Sequence, residues 1–258
     1  MSAGLFRRER RVGGEGGVSL VEAMVAVGLG VIIIGAALDV FVTHHGRFRA
    51  QRVMAELQQD LRGGVSLLAS ELRLAGSGAA GVQPFLTAAT MDEVAFRANV
   101  NGVRGTLLTA ATSGQNWAQV PSGSGWRKGK TIVICGTTGC EEQVLAQDCL
   151  SGRLVFLGHL TKSFPVGSQV EVVNQVRYYL NRKEPKNLKL MREVDRGANP
   201  LIEHVEEFSL TYLNKSGRPA GRMEEIRLVR LSLQTGGDDS RGGRVSRSHT
   251  QEMGVRAL

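Results

Sequence analysis

The chain has 258 residues, of which 42% are apolar and 22% charged, and its formal net charge is +8. That composition supplies a core for one or two domains and excludes a disordered or acidic solvating chain. Glycine fills 33 positions and aromatic residues only 5%, which predicts a loop-rich fold with a modest core, while three cysteines exclude a disulfide-dense scaffold.

Residues 1–17, MSAGLFRRERRVGGEGG, are basic and glycine-rich, and the next 21 residues, Val18 to Leu38, carry a single charge, Glu22. As a helix rising about 1.5 Å per residue, such a run crosses a hydrocarbon layer about 30 Å thick. Arg7, Arg8, Arg10 and Arg11 precede it, which holds the N-terminal side in the cytoplasm and exports the remainder. A secretory signal peptide opens in the same way. The apolar run is long for one, however, and no small-x-small cleavage site followed by a polar start closes it. Glu22 needs a reason of its own, because an ionised carboxylate in the apolar layer costs at least about 3 kcal/mol unless it is protonated or faces a cation.

The segment GGVSLVEAMVAVGLGVIIIGAAL, starting at Gly16, resembles the class III signal of type IV pilins and pseudopilins. The resemblance implies cleavage by a prepilin peptidase between Gly17 and Val18, N-methylation of Val18, and pairing of Glu22 with the N-terminal amine of a neighbouring subunit. Val18 stands where the family usually has phenylalanine or methionine, and the 17-residue leader is long for it. Losing that leader, with its four arginines and two glutamates, would leave a net charge of +6.

Beyond Leu38 come Asp39, His44, His45, Arg47 and Arg49, and then apolar residues at Met54, Leu57, Leu61, Val65, Leu68 and Leu72. Spacings of three and four describe one helical stripe. One helix is therefore expected from Val18 to about Ala75, with a membrane-spanning half (18–42) and an amphipathic half (43–76), followed by a head (77–258). Gly63 and Gly64 mark the expected bend, and AGSGAAG at 75–81 the end. MAELQQDLRGGVSLLASELRLAGSG resembles, more narrowly, the PilW-type minor pilins. VRYYL at 176–180, LMREV at 190–194 and PLIEHVEEFSLTYL at 200–213 resemble that family's strand, strand and helix-strand order. The likeness is strong from Gly17 to Gly78 and weaker beyond.

Residues 79–129 read as loops with one or two marginal strands. Strands are expected at 131–135, 153–157, 170–180, 188–193, 208–213 and 225–234. In the last of these the alternation of Ile226, Leu228, Val229, Leu231 and Leu233 slips by one residue, as a bulge or a doubly buried strand would. TGGDDSRGG at 235–243 reads as an exposed loop. The fold class is α+β, and the resemblance implies the type IV pilin fold: one long N-terminal helix packed on an antiparallel sheet.

Cys135, Cys140 and Cys149 lie close in sequence, and an exported location permits disulfides. Cys135–Cys140 across the turn GTTG and Cys140–Cys149 both stay open. No second cysteine pair or nearby histidine pair completes a zinc site, so neither metal nor cofactor is expected. GSGWRKGKT at 123–131 lacks phosphate-loop spacing and runs into a strand where a helix N-terminus is needed. Adjacent His44 and His45 point to different sides of a helix, and His159, His204 and His249 are scattered. Glu203, Glu206 and Glu207 read as the solvated side of a short helix, with Val205 and Phe208 inward. Asp238 and Asp239 lack the alternating ligands of a calcium loop. No catalytic constellation appears, so the chain is not expected to be an enzyme or to have a small-molecule substrate. Arg218, Arg222, Arg227, Arg230, Arg241, Arg244, Arg247 and Arg256 crowd the C-terminal 45 residues. They suit an acidic partner protein better than nucleic acid, because no aromatic stacking platform accompanies them.

The resemblance thus implies a non-catalytic minor pilin of the inner membrane, head in the periplasm, that primes or joins a type IV pilus fibre on the cell surface. Its partners would be other minor pilins, the major pilin, the prepilin peptidase and the inner-membrane assembly platform. The J-type minor pseudopilin of type II secretion and a DNA-binding pilin for uptake are the competing readings.

Overall fold

A computed structural model describes residues 19–78, 84–123, 125–149, 151–185, 187–238 and 244–255. The predicted leader and the Gly17–Val18 pair lie outside them. The chain divides into two compact units, Met1–Ala50 and Gln51–Leu258. Helix α1, Leu20–Arg73, runs 54 residues and belongs to both.

In the second unit the stripe predicted for α1 is the buried one: Leu57, Leu61, Val65, Leu68 and Leu72 are all covered. The helix does not melt at Gly63 and Gly64, where a bend or melting point was expected, but continues through both. Gly64 is buried because the sheet approaches the helix backbone at that point. A Cβ on it would stand 2.5 Å from Cδ1 and Cγ1 of Ile202, whereas one on Gly63 meets nothing within 4 Å. Neighbouring glycines therefore carry opposite expectations. Gly64→Ala should destabilise the head by about 1–3 kcal/mol through overpacking, and Gly63→Ala should stabilise it by up to about 1 kcal/mol through helix propensity. Urea unfolding of the two variants checks the signs.

Among the described residues the head has twelve strands. These are β1 Leu86–Thr90, β2 Glu93–Ala98, β3 Arg104–Thr106, β4 Trp117–Gln119, β5 Thr131–Gly136, β6 Gly139–Val144, β7 Arg153–Val155, β8 Gln169–Asn181, β9 Leu188–Val194, β10 Gly197–Leu213, β11 Leu228–Asp238 and β12 Arg244–Gly254. The main sheet has the order β1-β2-β8-β9-β10-β11-β12, every pairing antiparallel. The first half of β8 also pairs with β3 and β5, β5 pairs with β6, and β4 and β7 form a separate ribbon. The chain is thus α+β: an N-terminal helix with an apolar first half, and an antiparallel sheet.

Strand β8 carries two cores. Val170 and Val172 pack with Trp126, Ile132, Phe156 and Phe164, while Val176, Tyr178 and Leu180 pack with Leu68, Phe96, Leu210 and Val229 around the helix. Asn174 is fully buried on the same side of β8, between those two sets, and its Nδ2 donates to Asp195 Oδ2 at 2.7 Å. Asp195 and Arg196, with φ of 50° and 74°, form the two-residue turn between β9 and β10, the conformation a tight hairpin requires. The Asp195 carboxylate also accepts from Lys130 Nζ at 2.5 Å and from the Gln175 amide at 2.8 Å. Burial acts to raise this carboxyl's pKa, and the bonds from Lys130, Asn174 and Gln175 outweigh it, holding it below the ordinary value. A depressed folded pKa adds stability above the unfolded value of about 3.9, and that stability is lost as the pH falls through the folded one. Wild type should therefore lose more stability than Asp195→Asn between about pH 5 and pH 2, read from urea midpoints.

Several expectations need correction. Residues 200–207 are strand, not helix. Ile202, Val205 and Phe208 are buried at intervals of three because β10 bulges between Ile202 and Val205 against β9 and between Val205 and Glu207 against β11, so a strand imitates helical spacing. His204, at φ 55°, sits in that irregularity. Glu203, Glu206 and Glu207 accordingly lie on β10. Within β11 there is no slip, since Val229, Leu231 and Leu233 alternate strictly, and Ile226 precedes the strand at the end of a short 3-10 turn. Residues 235–238 extend β11, and Gly236 and Gly237 belong there for packing. A Cβ on Gly236 would overlap the Glu206 carboxylate, and one on Gly237 would crowd Val53 and Leu57 at 3.3 Å. Four strands, β1 to β4, occupy the region read as mostly loop, and β12 follows where no strand was expected.

Candidate functional site: the apolar half of the N-terminal helix

From Leu20 to Val42 the helix offers 23 residues of spanning composition, about 35 Å long at 1.5 Å per residue, with none of the window buried. Leu20, Met24, Ile32, Ile33 and Phe41 are each more than three-fifths exposed. Soluble monomers rarely leave so long an apolar surface in water, and lipid or other apolar helices would cover it.

Glu22 lies in the first turn. The turn is closed by Ser19, whose Oγ accepts from the Val21 amide at 3.3 Å and whose carbonyl accepts from the Ala23 amide at 3.0 Å. Ser19 and Glu22 are spaced as a helix-starting Ser-x-x-Glu, so the acid faces the positive end of the helix dipole. Magnitudes decide whether that suffices. The dipole offers about 0.3–1 kcal/mol, against a cost of about 3 kcal/mol or more for an acid at full depth in the apolar layer. Among the described residues no ion pair to Glu22 supplies the difference.

The remaining predicted positions sort as follows. Cys135 and Cys140 form a disulfide between directly paired positions of β5 and β6, with Cα atoms 4.1 Å apart, and Cys149 is a free thiol, half-buried against the second core. His45 stacks on Phe41, ring centroids 5.6 Å apart. No group of three or more His, Cys, Asp or Glu is placed to hold a metal among the described residues. Glu203 pairs with Lys189 at 3.1 Å. Glu206 accepts from Gln234 Nε2 and Arg244 Nε, which hold its carboxyl below the usual range.

Much of the arginine cluster is engaged inside the head. Arg230 pairs with Glu252 and Arg244 with Glu206, each at 2.6 Å. Arg227 Nη1 donates to the carbonyls of Glu224 and Ile226, and Arg247 Nε approaches the Met54 sulfur at 2.9 Å. Arg241 and Arg256 lie outside the described residues.

Sequence reasoning missed one ionic centre. Glu71, on the inner face of α1, is buried beneath the sheet and accepts from Tyr178 Oη at 2.5 Å and from Arg192 Nε at 2.9 Å, with a second bond from Arg192 Nη2. Burial first, and the Glu71 carboxylate next, push the Tyr178 phenol far above its ordinary pKa, while the bond to Glu71 raises that of Arg192. The signal was available: Glu71 stands three residues after Leu68 and directly before Leu72, on the apolar stripe. The arrangement fastens the helix to β8 and β9.

Set against protein-family models, curated proteins and solved structures, the chain matches none. The functional reading therefore stands on its own residues.

Proposed function

We propose that this protein is a non-catalytic assembly subunit of the type IV pilin class, most like the PilW-type minor pilins, with a type IV pilin fold. In this reading the apolar half of α1 lies in the inner membrane, the head lies in the periplasm, and α1 bundles with the helices of partner subunits as the fibre forms. The observation that carries it is the pairing of an unburied, membrane-length helix half with a lone acid in its first turn, on a helix whose second half is fastened to an α+β head. Prepilin peptidase would expose Val18 as the new N-terminus, and its ammonium would provide the counter-charge that Glu22 lacks on a neighbouring copy or relative. Two oppositely charged groups at similar depth lower each other's cost in a medium of low dielectric. Arg227, Arg230, Arg244 and Arg247 each have a partner within the head, and the absence of an interleaved aromatic stacking platform in the sequence favours a protein partner over DNA. The J-type pseudopilin of type II secretion would share each of these features, and gene neighbourhood separates the two.

Two readouts on the detergent-solubilised chain and on spheroplasts test this. Protease added outside spheroplasts should digest the head and leave the helix half, and affinity isolation should retrieve other subunits of the pilin class. A protected head, or retrieval of none, contradicts the proposal.

A further inference from the structure

The sequence at 123–131 is no phosphate loop, since strand β5 follows it, yet Gly123, Gly125, Trp126, Arg127 and Lys130 help to line an open cleft of about 590 Å³ together with residues 101–105 and Pro121. That volume falls in the range of small-ligand sites. Trp126 is 4% exposed and lines the cleft. Its indole N–H can only donate, and it finds no acceptor among the described residues. Glycines keep that edge of the ring open: a Cβ on Gly123 would stand 3.9 Å from Nε1, and one on Gly105 would stand 3.4 Å from Cζ2.

The charges at the cleft are unequal. Arg127 is occupied by Asp148 at 3.1 Å and Lys130 by Asp195 at 2.5 Å. Arg104 is exposed on β3, directly opposite Glu171 of β8, whose carboxylate accepts from Asn99 Nδ2 at 3.1 Å, and the Arg104 guanidinium itself has no hydrogen bond or ion pair among the described residues. The cleft thus combines one uncommitted guanidinium, one indole N–H at the edge of an otherwise covered ring, with no acceptor among the described residues, and a lining that includes four glycines. A guanidinium favours carboxylate and phosphate oxygens, to which it presents two parallel donors.

We propose that this cleft binds the oxyanion of a small hydroxylated ligand, a sugar acid or a sugar phosphate, with Arg104 holding the anion and the Trp126 N–H a neighbouring oxygen. The site is one of recognition, with no chemistry attached, and it stands independently of the reading of the N-terminal helix.

Titration calorimetry and tryptophan fluorescence of the detergent-solubilised whole chain test it with glucuronate, glucose 6-phosphate and neutral glucose as probes. Saturable binding of one or both anions, at least about tenfold tighter than glucose, is expected, and the preferred anion tells whether carboxylate or phosphate is the natural group. Arg104→Ala, at an exposed position, should weaken that binding about tenfold or more. Gly123→Leu, which covers the indole edge without disturbing Arg104, should abolish it. The proposal is overturned if neither anion saturates the protein by about 10 mM, if glucose binds as tightly, or if both variants, shown to be folded by circular dichroism, bind as wild type does.

Discussion

Replacing Glu22 with alanine is expected to leave the protein in the membrane while cutting its co-isolation with partner subunits about tenfold or more. Removing the acid makes insertion easier, since it deletes a cost of about 3 kcal/mol or more at full depth. Assembly responds the other way in the proposed fibre, because the ammonium proposed on the neighbouring subunit is then left without its counter-charge. Stranding one member of a buried pair costs about 3–5 kcal/mol, and hydration near the membrane surface reduces this to a remaining loss of about 1.4 kcal/mol or more, which is tenfold in affinity. Glu22→Asp keeps the charge and should recover part of the co-isolation, whereas Glu22→Gln should not. If the acid serves only the first helical turn, opposite the dipole and beside Ser19, Glu22→Gln costs less than about 1 kcal/mol of helix stability. Co-isolation would then stay at the wild-type level, and ion pairing between subunits would be ruled out.

The second large effect concerns the head. Glu71→Ala is expected to destabilise it by about 3 kcal/mol, because Tyr178 and Arg192 lose their shared acceptor in a covered position. The low end of the range applies because the Arg192 side chain remains 27% exposed and recovers some water. Tyr178→Phe removes one donor and leaves the ion pair, so it should cost about 1 kcal/mol. The two changes share an acceptor and should not add, which a double-mutant cycle by urea unfolding would register. A Glu71→Ala loss below about 1 kcal/mol would mean that the apolar stripe alone fastens the helix.

The helix was legible from the sequence because its signals are long and periodic. Leu57 to Leu72 repeat at three and four over more than four turns, and the structure buries that same stripe. Strands β5, β8, β9 and β11 were legible as well, being apolar runs bounded by turn residues. Where strands were missed, the cause is local. In β10 two bulges separate Ile202, Val205 and Phe208 by three residues each, so period alone favours a helix. In β12 the sequence RVSRSHTQEMG has only Met253 buried, and the strand exists because β11 offers it a partner along eleven positions. The Gly63-Gly64 pair suggested weakness where Gly64 is needed for close approach, a distinction that depends on Ile202, far away in the chain. Of the candidate site, Glu22 and its apolar surroundings were visible as composition. The buried Glu71 centre and the Trp126 cleft were not, because each joins residues distant in sequence.

Intact-mass analysis of the chain extracted from membranes of cells with and without prepilin peptidase tests the central claim most directly. The account predicts that peptidase removes residues 1–17 and yields a species beginning at Val18 with one added methyl group, and that without peptidase the leader remains. A mass that still begins at Met1 when the peptidase is present would contradict it.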